Sequence, residues 1–220
     1  MKLKLLISLL IGAVMLEATD IKKEETKEPV WKIQNDPYYK HKKSQFEILA
    51  MNEKYKTIML GDSITDEGQW DELLNNDTIQ NRGISGDTTD GVIERLNPIS
   101  KNIEKVFIMI GVNDIMRGKE VDEIYANYLK IIQFFKEKNI KIHIQSTLYI
   151  GETRKSNFNS KVEELNKKLE KYANENQIIF INLNPILAPN KVLQKKFTFD
   201  DLHLNGTAYK LWTEQIKKYF

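Results

Sequence analysis

Ser63, Gly86, Asn113, Asp200 and His203 are residues of types that could together attack a carbonyl carbon and steady the charge that follows. A serine hydroxyl is a poor nucleophile until a neighbouring base takes its proton. Ser63 stands in Gly61-Asp62-Ser63-Ile64-Thr65, where an apolar run ends and a helix can begin. That setting predicts an exposed hydroxyl on a tight turn. His203 lies in the turn-like segment Phe199-Asp200-Asp201-Leu202-His203-Leu204-Asn205. Asp200, three residues before it, is close enough in a turn to bond the imidazole Nδ1–H and fix its tautomer. The spacing favours Asp200 over Asp201. A tetrahedral oxyanion needs donors already in place. The Ser63 N–H, the Gly86 N–H and the Asn113 amide each follow a different apolar run, and glycine at 86 lets backbone approach a substrate closely.

Each signal also has an ordinary reading. Asp62-Ser63 can be a helix N-cap, and Asn113-Asp114 a cap or turn pair. Gly83 and Gly86 can simply shape a loop, and Asp-x-x-His arises by chance. Asp62 and Asp114 are expected to support the reacting groups, Asp114 by bracing the Asn113 turn. What joins these segments is their place in a repeating pattern.

That pattern comes from apolar periodicity. Runs at 57–60, 78–81, 105–110, 141–145 and 178–182 read as strands, the first three each closing near a glycine. Between them lie single apolar stripes at helical spacing. Ile124, Tyr128, Ile131, Ile132 and Phe135 mark 120–138; Val162, Leu165, Leu169, Tyr172 and Ala173 mark 158–175. Ala208, Leu211, Trp212, Ile216 and Tyr219 mark a last helix after Asn205. Alternating strands and helices imply a parallel sheet with helices on both faces, and such sheets bind ligands beyond the carboxyl ends of their strands. All the segments named above except the last fall just after a strand.

The chain outside this pattern has its own character. Residues 1–18 have a basic start, an uncharged aliphatic stretch from Leu5 to Leu16, and Ala18 before a polar tract. This is the layout of a signal peptide, with a retained anchor as the alternative, and it predicts export to a periplasmic or extracellular space. Residues 19–56 read as a charged linker, solvated over 19–35, followed by a short amphipathic helix over 38–52 carrying Phe46, Ile48, Leu49 and Ala50. Residues 57–220 form the predicted catalytic domain. No further membrane span is expected.

Composition narrows the chemistry. The 220 residues hold 33 Lys+Arg against 31 Asp+Glu, a balance that argues against a nucleic-acid binder working by bulk charge. There is no cysteine, which excludes thiolate nucleophiles, disulfides and zinc knuckles, and the three histidines are scattered.

Taken together, the blocks Gly61-Asp62-Ser63, the Gly86 loop, Gly111-x-Asn113-Asp114 and Asp200-x-x-His203 resemble those of the SGNH hydrolases, the GDSL-type esterase superfamily. Gly-Ile-Ser-Gly-Asp-Thr-Thr and Phe-Asp-Asp-Leu-His-Leu look most like the branch of platelet-activating-factor acetylhydrolase subunits and bacterial carbohydrate acetylesterases. Ile64 departs from the usual leucine, at a position with no proton or charge to give. The resemblance implies a flavodoxin-like three-layer α/β sandwich with a five-stranded parallel sheet of order 2-1-3-4-5. It implies Ser63 as nucleophile, His203 as base, Asp200 as orienter, and Ser63, Gly86 and Asn113 as the oxyanion hole, with no metal or cofactor. A serine esterase releasing small acyl groups, acetyl above all, from a glycan is the leading expectation. The small-acyl part follows from blocks separated by no long apolar lid, the glycan part from export and resemblance. A lysophospholipase or thioesterase with the same triad is the alternative, and a non-catalytic binding domain is more remote.

Other residues earn plainer expectations. His143, in the alternating Ile142-His143-Ile144, is expected to be partly buried and hydrogen-bonded. His41 is expected at the surface, Trp70 and Arg82 in packing, and the lysines and glutamates of 161–171 on a solvated face.

Overall fold

Alternation inside the strands decides how the layers form. In the computed structural model, which describes residues 31–154 and 158–220, five strands pair in parallel. They are β1 (Thr57–Gly61), β2 (Ile79–Gly83), β3 (Lys105–Met109), β4 (Lys141–Gln145) and β5 (Ile179–Ile181), in the order β2-β1-β3-β4-β5. The helices are α1 (Pro37–Leu49), α2 (Ser63–Asp66), α3 (Trp70–Leu73), α4 (Thr89–Glu94), α5 (Val112–Met116), α6 (Val121–Glu137), α7 (Phe158–Glu175), α8 (Asn184–Leu187) and α9 (Gly206–Ile216). Ile58, Leu60, Val106, Ile108, Ile142 and Ile144 pack with Val92, Ile124, Tyr128, Ile131, Phe135 and Leu165, on the layer of α4, α6 and α7. The intervening Met59, Phe107 and Met109 pack with Trp70, Tyr209, Trp212 and Ile216, on the layer of α3 and α9. Successive strand side chains point to opposite faces, so a strand covered on both sides reads as a continuous apolar run. The architecture is the three-layer sandwich expected.

Register places three strand ends side by side. Gly61 of β1 pairs with Gly83 of β2 and with Met109 of β3. The loops that follow β1, β2 and β3 therefore open at one level of the sheet. Gly83 must be glycine there: a Cβ would stand 2.1 Å from the Asp66 amide nitrogen of α2.

The structure departs from the expectations at the edges. β2 runs on through Arg82 and Gly83, past the predicted end at Asn81. Arg82 is buried, with its guanidinium 4.5 Å over the Phe46 ring of α1, which lets an arginine occupy an edge strand. The compact unit begins at Lys32 and takes in the helix that precedes residue 57. Ile33, expected in a solvated linker, is buried with Tyr39, Phe46 and Ile84. Tyr39 and Phe46, seven apart, share one face of α1, and the Tyr39 hydroxyl donates to the Gly91 carbonyl at 2.7 Å. Ile48 and Leu49 point elsewhere and are exposed. The helix stops at Leu49, short of the predicted 52. The signal-peptide reading of 1–18 lies outside the described residues. Among those residues, no helix is long and apolar enough to cross a membrane.

Candidate active site

The first strand end supplies a hydroxyl. Asp62 caps α2, its Oδ1 accepting the Ile64 N–H at 3.0 Å, and Ser63 is the first residue of the helix. The N-cap reading and the nucleophile position thus coexist. Ser63 is only 3% exposed, against the exposed hydroxyl expected from sequence. His203 occupies the space over it: Nε2 lies 2.9 Å from Ser63 Oγ. Its other nitrogen, Nδ1, lies 2.7 Å from Asp200 Oδ2. The ring is therefore held at both nitrogens, by residues 140 and three positions away in sequence. The exposed Glu67 places a carboxylate oxygen 3.9 Å from Nε2.

Asp200 is itself well satisfied. Oδ1 accepts the Leu202 N–H at 3.0 Å and the His203 N–H at 2.8 Å. These bonds outweigh the cost of burial and hold the carboxyl well below the usual carboxylate range. Asp201 turns the other way at φ +66°, and its side chain accepts from the Thr153 N–H at 3.0 Å and from the Thr153 hydroxyl.

The second and third strand ends supply donors. Gly86 has φ +77°, in the left-handed region that favours glycine, and its carbonyl accepts from Arg117 at 2.7 Å. Asn113, in α5, donates one amide hydrogen to the Asp87 carbonyl at 3.0 Å, which leaves one to give. Loop is tied to loop: the Ile84 N–H donates to the Gly61 carbonyl at 3.2 Å, and Asn113 ties the third loop to the second. The Ser63 N–H belongs to the first turn of a helix, where amides lack an intrahelical acceptor.

Around these donors sit three buried acids. Asp114 does not brace its own turn. It reaches to α4, accepting the Thr89 N–H at 2.9 Å and the Thr89 hydroxyl at 2.7 Å. Burial pushes its carboxyl up. Asp87, which sequence reasoning gave no role, pairs with Arg95 at 2.7 Å, and Arg95 also donates to the Gly61 carbonyl at 3.0 Å. Burial lifts Asp87 to about 6 against the pull of Arg95. Asp62 rises to about 7, first through burial, then through the charges of Asp87 and Asp114.

The remaining residues sort plainly. Trp70 is buried and donates to the Thr65 carbonyl at 2.8 Å. His41 is exposed. His143 is fully buried rather than partly, and neither ring nitrogen has a hydrogen-bond partner; the ring stacks on Phe107 at 4.4 Å. Loss of water there lowers it to about 4. Glutamates and lysines of α7 pair on the surface, as Lys167 does with Glu163 at 2.8 Å. Among the described residues, no group of three or more His, Cys, Asp or Glu could hold a metal ion.

A profile of the GDSL-like lipase/acylhydrolase family matches residues 59–211. The chain belongs to that family. The blocks Gly61-Asp62-Ser63, Gly111-x-Asn113-Asp114 and Asp200-x-x-His203 suggested that membership. The N-acylneuraminate cytidylyltransferase of Streptococcus agalactiae is 28% identical over 192 residues, 84% of this chain, which spans only 44% of that protein. A Streptococcus pneumonia protein provisionally named a platelet activating factor superposes with a TM-score of 0.76 at 26% identity, over 83% of this chain and 92% of its own. An acetyl xylan esterase shares the fold, with a TM-score of 0.64 at 23% identity over 74% and 98% of the two chains.

Proposed function

We propose that this chain is a carboxylic ester hydrolase that removes small acyl groups, acetyl foremost, from a carbohydrate, with Ser63 as nucleophile. The observation that carries the reading is the pair of contacts on one imidazole, 2.9 Å to Ser63 Oγ and 2.7 Å to Asp200 Oδ2. Ser63 Oγ attacks the ester carbon as His203 Nε2 takes its proton. Asp200 holds Nδ1–H and stabilises the imidazolium. The carbonyl oxygen becomes an oxyanion and is met by the Ser63 and Gly86 amides and the Asn113 side chain. Nε2–H then passes its proton to the departing alcohol, leaving an acyl-serine, and water repeats the sequence to free the acid and restore Ser63. Asp62 and Asp114 support this machinery by holding the loops.

Names of related proteins support the sugar. An acetyl xylan esterase shares the fold, and the S. agalactiae relative is named for an acylated sugar, N-acylneuraminate. Export, read from residues 1–18, would put the enzyme where glycans are found.

The test pairs activity with labelling. Ser63→Ala should abolish ester hydrolysis while leaving the thermal melt unchanged, and a fluorophosphonate should label the wild type at Ser63 alone. Acyl-chain profiling and a panel of acetylated glycans and lysophospholipids then address substrate. A rate peak at C8 or longer would favour a lipid substrate and sink the small-acyl reading.

A further inference from the structure

The segment that follows β4 grips the catalytic loop from outside. The Gly151 N–H donates to the Asp201 carbonyl at 2.7 Å, and Thr153 binds the Asp201 side chain. Arg154 takes the next residue at two points. Its Nε donates to the Asp200 carbonyl at 3.0 Å, and its Nη2 to Asp200 Oδ2 at 3.2 Å. That oxygen is the one that holds His203 Nδ1. We propose, resting on the triad reading above, that Arg154 is a positioning residue that sets the aim and the effective charge of the Asp200 carboxylate.

Asp200 needs an outside partner because its side chain is 43% exposed. Its Oδ1 is fixed by two backbone amides within the same loop, and Thr198 Oγ1 lies 3.3 Å away. Those bonds set the loop's shape but do not tie it to the rest of the domain. Arg154 does, because adjacent donors on one edge of a planar guanidinium reach a carbonyl and a carboxylate oxygen of the same residue. A lysine could supply the charge but not that fork.

Charge follows from the same contact. A cation on Oδ2 shares that oxygen with His203 Nδ1 and draws its charge away from the imidazole side. The groups facing His203 are Asp200 at Nδ1, and Ser63 and the exposed Glu67 at Nε2. Those facing Asp200 are His203, Arg154 and Thr198. Arg154 is the cation in that set, so it offsets part of the carboxylate charge that faces the imidazole.

The experiment compares Arg154→Gln and Arg154→Lys with wild type in kcat, KM and the pH profile of kcat/KM, using a small acetyl ester. In the glutamine variant the acid limb should move up by about half a pH unit, the scale of one partly exposed charge. Its plateau kcat should fall roughly three- to tenfold with KM unchanged, because the lost aim matters only during proton transfer. The lysine variant should keep the wild-type limb but share the lower kcat. A glutamine variant whose profile overlays the wild type overturns the proposal. So does a kcat loss with an unmoved limb, which would reduce Arg154 to a loop pin. Ser63→Ala runs alongside: if it retains activity the triad reading fails, whereas an inactive Ser63→Ala with an unshifted glutamine variant removes Arg154 alone.

Discussion

Asn113 offers the sharpest test of the oxyanion site, because its two amide hydrogens have separable jobs. One is spent on the Asp87 carbonyl at 3.0 Å, inside a residue that is 6% exposed. Losing that bond leaves a buried carbonyl short of a donor, at a cost of about 1–3 kcal/mol in stability. The other hydrogen is the proposed donor to the developing oxyanion. Losing it should cost on the order of 10²–10³ in kcat, or about 3–4 kcal/mol, and should spare KM because the bond strengthens only as charge builds. Asn113→Ala should therefore show both effects. Asn113→Asp should be worse in kcat at pH 8, since it adds a carboxylate beside Asp87 and Asp114, where burial already resists charge. Steady-state kinetics on a small acetyl ester and thermal melts of both variants separate the two jobs, with fluorophosphonate labelling persisting at a reduced rate. If Asn113 served only the Asp87 carbonyl, both variants would lose stability while the folded protein kept a near-normal kcat. Near-normal kcat in the aspartate variant, or a defect confined to KM, would falsify the oxyanion assignment.

Two further outcomes are expected. Asp200→Asn should lower kcat on the order of 10²–10⁴ by releasing tautomer control of His203, whereas Asp201→Asn should act mainly on stability through Thr153; the opposite ranking in kcat would reassign the orienter. His143 is held near 4 in the fold against 6.5 in the unfolded chain, so the unfolded state binds more protons between those values and stability falls as pH drops through that window. At pH 4.5 the loss relative to pH 7.5 is about 2–3 kcal/mol, and His143→Phe should remove that part of it while keeping the stack on Phe107. Urea unfolding of both proteins at the two pH values checks this, and parallel losses would count against it.

The sheet was legible because parallel strands buried on both faces leave a strong local trace. Val106 to Ile110 is apolar at every position and could not be anything exposed. The segments after the strands were legible because small and polar residues interrupt that trace. What sequence did not disclose was contact between distant residues. Thr89 and Asp114 are 25 residues apart, and Arg95 and Gly61 are 34 apart; neither pairing follows from spacing. Ser63 looked exposed because local turn geometry says nothing of a ring arriving from position 203. The burial of Ile33 was hidden for a related reason. Ile33 is one apolar residue in a charged stretch, and only Tyr39, Phe46 and Ile84 together give it somewhere to go.

The three buried acids show how the strand ends are kept rigid without disulfides or metal ligation by cysteine. Each holds a backbone amide at the start of a short helix or turn: Asp62 that of Ile64, Asp87 that of Thr88, Asp114 that of Thr89. Asp200 repeats the device with Leu202 and His203. A side-chain oxygen bonded to a nearby N–H fixes a turn that the strand itself cannot fix, and it does so beside the amides proposed to meet the oxyanion. Full negative charge on all three buried acids would oppose a developing oxyanion. That conflict is eased in different ways: Arg95 neutralises Asp87, Lys119 stands 3.4 Å from Asp114, and Asp62, lifted to about 7, is partly protonated near neutral pH. The acids can thus order the loops while burdening the site with less than their formal charge.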